Sequence, residues 1–128
     1  MAYAGSQSKV VVLVVEDETI LRIAAVSFLE DAGFDVIEAE DADRAIALLE
    51  GRDDIRLLFT DIDLPIGSMN GLRLARAVRD RWPNVAIIMV SGHRVPDVGE
   101  LPGGSKFFPK PYDETQMVST VREMAQLS

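Results

Sequence analysis

Five short apolar runs recur along the chain: Val10 to Val15, Phe34 to Ala39, Ile55 to Thr60, Val85 to Val90 and Lys106 to Phe108. Several are near-continuous Val, Ile and Leu rather than alternating, which predicts strands covered on both faces. Between them lie helical patterns over Thr19 to Ala32, Ala42 to Glu50 and Gly71 to Trp82, closed by Gly33, Gly51 and Pro83 respectively. In the second, Ala42, Ala45, Ile46 and Leu49 follow the spacing of one buried stripe. A last helix, from about Glu114 to Gln126, gathers Met117, Val118, Val121, Met124 and Ala125 on one face, and Asp113 with Gln116 resembles a capping box at its start.

Such alternation of strand and helix calls for a parallel sheet with right-handed crossovers and helices on both faces, a doubly wound α/β fold. One crossover breaks the pattern. From His93 to Ser105 the chain carries two prolines and three glycines. Each interior glycine costs a helix about 1 kcal/mol and each interior proline about 3. A full helix is therefore not expected there, only a short turn from about Pro96 to Leu101, pinned to the core by Val95, Val98 and Leu101 and more mobile than the rest of the domain. Residues 1–8 are small or polar without period and read as a flexible leader to one domain over 9–128.

Composition narrows the function. Hydrophobic residues make up 48% of 128, enough for a core of its own. Thirteen basic against twenty-one acidic residues leave a net charge of −8, which disfavours nucleic acid and anionic membrane surfaces as partners. There is no cysteine and one histidine, His93, which excludes thiol chemistry, disulfides and multi-histidine metal sites. No apolar run is long enough to span a bilayer, and no signal-peptide pattern opens the chain, so a cytoplasmic location is expected.

In open parallel sheets ligands gather beyond the carboxyl ends of the strands. Glu16-Asp17-Glu18 follows the first strand, Asp61-Ile62-Asp63 the third, Ser91-Gly92 the fourth and Lys110-Pro111 the fifth. Taken singly, each has an ordinary explanation as a helix-start acid, a turn former or a solvated lysine. Jointly they suggest chemistry. If the first and third strands are neighbours, Glu16, Asp17 and Asp61 converge and repel unless a cation neutralises them. An all-oxygen ligand set selects a hard ion such as Mg²⁺. A carboxylate beside Mg²⁺ is a competent nucleophile toward phosphorus, with Asp61 the candidate and Lys110 and Ser91 available to the phosphoryl oxygens.

This constellation resembles the receiver domain of two-component response regulators, over about residues 9 to 127. The acidic pair matches Glu16-Asp17, the phosphoacceptor Asp61 with Pro65 four residues on, the hydroxyl position Ser91-Gly92 and the lysine-proline pair Lys110-Pro111. The resemblance implies a flavodoxin-like five-stranded sheet of order 2-1-3-4-5. It implies Mg²⁺ held by Asp17 directly, by Glu16 through water, by Asp61 and by the main-chain carbonyl of Asp63. It further implies a cis bond between Lys110 and Pro111, and a switch pair of Ser91 and Phe107, with Phe108 adjacent. The expected partners are a histidine kinase or phosphotransfer protein and a downstream protein target, reached by a stand-alone receiver, monomeric or dimerising on phosphorylation, that is not a turnover enzyme on external substrates.

Three departures from the common receiver pattern stand out. The loop from Pro65 to Gly71 has about two residues more than is common in the family, a serine replaces the usual threonine at position 91, and the helix between the last two strands is short or absent. His93, two residues beyond Ser91, reads as a solvated loop residue or a modulator of dephosphorylation. Arg73, Arg76 and Arg79 recur on the third helix as a solvated face or a docking surface for an acidic partner. Two rivals remain at this point. Asp61-Ile62-Asp63 also has the spacing of haloacid-dehalogenase-type phosphatases, although Leu64-Pro65 follows in place of a hydroxyl. A receiver-like adaptor that needs no phosphorylation is the other.

Overall fold

A computed structural model describes residues 9–65 and 69–127. The proposed leader, and Ile66 to Ser68 of the long loop, lie outside the described residues. The strands are β1 (Val11–Val15), β2 (Asp35–Ala39), β3 (Ile55–Asp61), β4 (Ala86–Ser91) and β5 (Lys106–Pro109). The helices are α1 (Thr19–Asp31), α2 (Ala42–Gly51), α3 (Gly71–Arg81) and α4 (Glu114–Leu127). All strand pairs are parallel and the sheet runs β2-β1-β3-β4-β5, the expected doubly wound order.

The central strands are buried on both faces, and their period of two sorts the core into two layers. Leu13, Val15, Leu58, Ile87 and Met89 face α2 and α3, meeting Ala45, Leu49, Leu74 and Val78. Val12, Val14, Phe59, Ile88 and Val90 face α1 and α4, meeting Ala25, Leu29, Met117 and Val121. Between Val11 and Val12 the register with β3 shifts, so that Ile55 and Leu57 are paired and Arg56 is skipped. The bulge leaves Arg56 exposed, and its guanidinium donates to the Ala125 carbonyl at 3.3 Å.

Helix ends follow local chemistry. Asp41 accepts from the Arg44 amide at 2.8 Å, Asn70 from Arg73 at 2.9 Å and Asp113 from Gln116 at 3.0 Å, each meeting an amide that the first helical turn cannot satisfy itself. Gly33, at φ 98°, takes the left-handed turn that ends α1. No helix among the described residues is long and apolar enough to cross a membrane.

Between β4 and β5 there is a single 3₁₀ turn, Val98–Glu100, instead of a helix. One expectation fails here. Val95 and Val98 do not pin the turn to the core, being 75% and 90% exposed. Asp97, at the start of the turn, has an extended backbone, and of the two residues before it Pro96 is buried while Val95 is exposed. Leu101 alone of the three packs on the core layer below α2 and α3.

Candidate functional site

The carboxyl ends of β1, β3, β4 and β5 lie side by side because the register pairs Val15 with Thr60, Asp61 with Val90 and Ser91 with Pro109. Glu16 follows β1, Asp61 ends β3, Ser91 ends β4 and Lys110 follows β5. Residues separated by up to 94 positions thus share one pocket.

Lys110 is its centre of charge. Its Nζ donates to Asp61 Oδ2 at 2.9 Å and to Glu16 Oε1 at 3.0 Å. Both carboxylates are almost fully buried, with relative exposures of 4% for Asp61 and 5% for Glu16. Burial pushes the Glu16 carboxyl up to about 7, against the pull of the Glu18 amide and Lys110, with Asp61 adding repulsion. For Lys110, burial pulls downward, but its hydrogen bonds to Asp61 and Glu16 outweigh this and raise its pKa. The peptide bond between Lys110 and Pro111 is cis. Phe28 and Phe59 pack edge-on against Tyr112 at 6.0 Å, and burial among them pushes its phenol up to about 12.

Asp17 completes the acidic group. One carboxylate oxygen from each of Glu16, Asp17 and Asp61 lies within 4.8 Å of the others, and Asp17 is exposed at the pocket mouth. A donor set made only of oxygens, from one open and two buried carboxylates, fits a hard divalent cation that keeps some of its waters. It does not fit zinc or copper.

Opposite Lys110 the pocket is built on one hydroxyl. Ser91, 2% exposed, donates from Oγ to Asp63 Oδ2 at 2.6 Å, a short bond to a charged acceptor. The same oxygen accepts from the amides of His93 at 3.1 Å and Arg94 at 3.3 Å. The Asp63 amide in turn donates to Asp61 Oδ1 at 2.9 Å. Asp63 therefore engages the pocket through its amide and its carboxylate, whereas the family resemblance implies a part for its main-chain carbonyl. The His93 side chain is exposed. Phe107 packs toward the α2 and α3 layer and Phe108 toward the α1 and α4 layer, so the two rings lie on opposite faces of β5.

Two residues that sequence reasoning passed over position this pocket. Arg22 reaches back from α1, donating to the Glu16 carbonyl at 2.8 Å while paired with Glu38 at 2.9 Å. Gly71 opens α3 against the end of β3, where its amide donates to the Ile62 carbonyl at 2.9 Å. A β-carbon there would come within 2.7 Å of Ile62 Cα and closer still to the Asp61 carbonyl, so only glycine lets the helix sit there. The signal available for Gly71 was a glycine directly after a helix-capping asparagine, which propensity alone marks as a poor first residue.

Comparison with known proteins agrees with this geometry. Residues 12–122 match the response regulator receiver domain family. The sensor kinase CckA of Brucella abortus is 33% identical over 119 residues, covering 90% of this chain and 12% of that protein. The aerobic respiration control protein ArcA of Escherichia coli K12 is 33% identical over 117 residues, covering 88% of this chain and 47% of ArcA. The chain thus spans less than half the length of either. Among solved structures, a response regulator receiver protein from Sinorhizobium medicae WSM419 superposes with a TM-score of 0.86 at 29% identity, covering 93% of this chain and 96% of that one.

Proposed function

The chain belongs to the response regulator receiver family, and from that premise we propose that Asp61 accepts a phosphoryl group from a phosphohistidine on a kinase or phosphotransfer protein. The observation that carries this reading is the Lys110 ammonium held on Asp61 Oδ2, beside a carboxylate set suited to Mg²⁺. Among the described residues, Asp61 is the one carboxylate hydrogen-bonded to both Lys110 and the Asp63 amide, on the Ser91–Asp63 side of the pocket.

Glu16, Asp17 and Asp61 would hold Mg²⁺, with the Asp63 carbonyl as a further ligand. When bound, the ion would neutralise charge on the transferring phosphoryl oxygens. An Asp61 carboxylate oxygen attacks phosphorus in line with the imidazole. The O–P bond forms as the N–P bond breaks, and the electron pair stays on the histidine nitrogen. Lys110 then exchanges its bond to Asp61 Oδ2 for the developing phosphoryl charge. Ser91, released from Asp63, supplies a hydroxyl donor on the other side. Its departure frees the His93 and Arg94 amides, so the connection from His93 to Ser105 is re-posed and the signal passes to a partner protein.

The Asp-x-Asp spacing shared with dehalogenase-type phosphatases starts at the last residue of β3 and is absorbed by this reading. Intact mass after acetyl phosphate or phosphoramidate with Mg²⁺ tests the proposal. One phosphoryl adduct is expected on the native chain and none on Asp61→Asn. Equal adduct on both would move the acceptor elsewhere, and release of many equivalents of phosphate from a small ester would favour a phosphatase.

A further inference from the structure

The start of α3 carries a chemistry that phosphoacceptance does not use. The chain has two asparagines, Asn70 before Gly71 and Asn84 before Val85. The side-chain amide of an asparagine can be attacked at Cγ by the main-chain nitrogen of the next residue, closing a cyclic imide. A following glycine has no side chain to obstruct that approach and leaves the backbone free to turn, whereas a β-branched valine hinders both. Asn70 is exposed, so water reaches it.

The fold holds the reacting atoms apart. Asn70 Oδ1 accepts from the Arg73 amide at 2.9 Å, and the Asn70 carbonyl accepts from the Leu74 amide at 3.0 Å. The attacking nitrogen is engaged as well, since the Gly71 amide donates to the Ile62 carbonyl at 2.9 Å. The Asn70 backbone must also rotate from its ψ of 173° before the Gly71 nitrogen can share a ring plane with Cβ and Cγ. Ring closure therefore needs the first turn of α3 to open, a local event that breaks only these few bonds. Reclosing is limited by space. A carbon added at Gly71 would come within 2.7 Å of Ile62 Cα and closer still to the Asp61 carbonyl. The Ile62 carbonyl that receives Gly71 also receives the Leu64 amide at 3.0 Å, and between Ile62 and Leu64 the Asp63 amide holds Asp61 Oδ1 at 2.9 Å.

We propose that Asn70–Gly71 is a modification site, where opening of the first turn of α3 lets Asn70 convert to isoaspartate, and that the isoaspartyl chain cannot reseat α3 on the end of β3. The Gly71 nitrogen gives its proton to hydroxide and bonds to Asn70 Cγ. The Cγ–Nδ2 bond breaks, and the side-chain nitrogen takes a proton from water and leaves as ammonia. Water then opens the imide. Opening at Cγ gives aspartate, which keeps a capping oxygen for the Arg73 amide. Opening at the main-chain carbonyl gives isoaspartate, whose backbone runs through Cβ and is longer by one carbon. That length finds no room toward β3, so the bond from Gly71 to Ile62 is lost and the turn holding Asp63 on Asp61 loosens. The further consequence, weaker phosphoryl uptake at Asp61, rests on the phosphoacceptor reading above.

The test incubates the full chain in mildly alkaline buffer, folded and in urea, and locates isoaspartate by peptide fragmentation and by labelling with an isoaspartyl methyltransferase. Isoaspartate is expected at residue 70 and not at residue 84, forming about tenfold or more faster in urea than in the folded chain. Asn70→Ser keeps a capping oxygen but has no amide nitrogen to lose, and should not age. The isoaspartyl and aspartyl fractions of the aged chain are then separated and refolded. Amide exchange over residues 71–75 should be faster in the isoaspartyl fraction than in the aspartyl one, and its phosphoryl uptake from acetyl phosphate and Mg²⁺ lower. Isoaspartate at Asn84 as fast as at Asn70, or none at Asn70 in the folded chain, would overturn the site. Equal rates folded and in urea would overturn the restraint by the fold, and equal amide exchange in the two fractions would overturn the failure to reseat. A fresh chain that takes up no phosphoryl strikes the phosphoacceptor reading alone, because amide exchange still reports the seat of α3. Undiminished uptake in an isoaspartyl fraction whose α3 exchanges faster strikes only the link to Asp61.

Discussion

The two halves of the pocket are built in opposite ways. On the β1 and β3 side, Glu16, Asp61 and Lys110 form a closed charge network in buried surroundings, braced by the Glu18 amide, by Arg22 and by the Gly71 contact. On the β4 side a single hydroxyl, Ser91 Oγ, gathers Asp63, His93 and Arg94, and beyond it the chain makes one 3₁₀ turn held to the core by Leu101 and Pro96. The contrast is physical in origin. Like charges in a dry pocket are tolerable only with fixed counter-charges and fixed donors, whereas a donor that must move can have few other attachments. On the proposed function, the phosphoacceptor sits in the closely bonded half and the change of shape falls in the half with fewer attachments.

Removing Lys110 should have the largest effect on stability. Lys110→Ala leaves two buried carboxylates without their counter-charge and is expected to cost about 2–3 kcal/mol in EDTA, less than a fully buried pair because the lysine is partly exposed. With saturating Mg²⁺ the loss should shrink, since the ion takes over neutralisation. Urea unfolding in the two buffers measures this, and identical losses would mean that the rigid half does not depend on charge as described.

Next comes the wall beneath Lys110. Because burial raises the Tyr112 phenol to about 12 from an ordinary 10.0, the protonated form is favoured in the folded state. Tyr112 therefore contributes stability that is present below pH 10 and is lost as pH rises from about 10 toward about 12. The tyrosinate absorbance difference between the native chain and Tyr112→Phe should rise near 12. A rise near 10 would show a wall looser than the packing of Phe28 and Phe59 implies.

The movable half should respond more weakly in stability and more strongly in dynamics. Ser91→Ala removes one donor from Asp63 and one acceptor from two amides, at an expected cost of about 1–2 kcal/mol. Amide exchange between residues 93 and 105 should accelerate while α3 is unaffected. If α3 exchanged faster as well, the two halves would not be mechanically separate. Smallest of all, Val98→Ser should change stability by no more than about 0.5 kcal/mol, because its side chain is already in water. A larger loss in urea unfolding would place Val98 against the core after all.

Much of this design is written locally in the chain. Val-rich runs set the strands, glycine and proline positions set the helix ends, and the prolines and glycines from Pro96 to Gly104 exclude a helix before β5, because these are properties of adjacent residues and their backbone preferences. The acids, the serine and the lysine were legible as a group, since parallel topology sends every strand end to the same edge. Other features depend on atoms far apart in sequence. That Lys110 bridges Glu16 and Asp61, that Ser91 is held by Asp63, and that Arg22 and Gly71 brace the backbone beside the acids all follow from how the helices seat on the sheet. The outward turn of Val95 and Val98 was misjudged for the same reason: spacing by three names a face, but which way that face points is decided by how the segment seats on the core, where Pro96 takes the buried place.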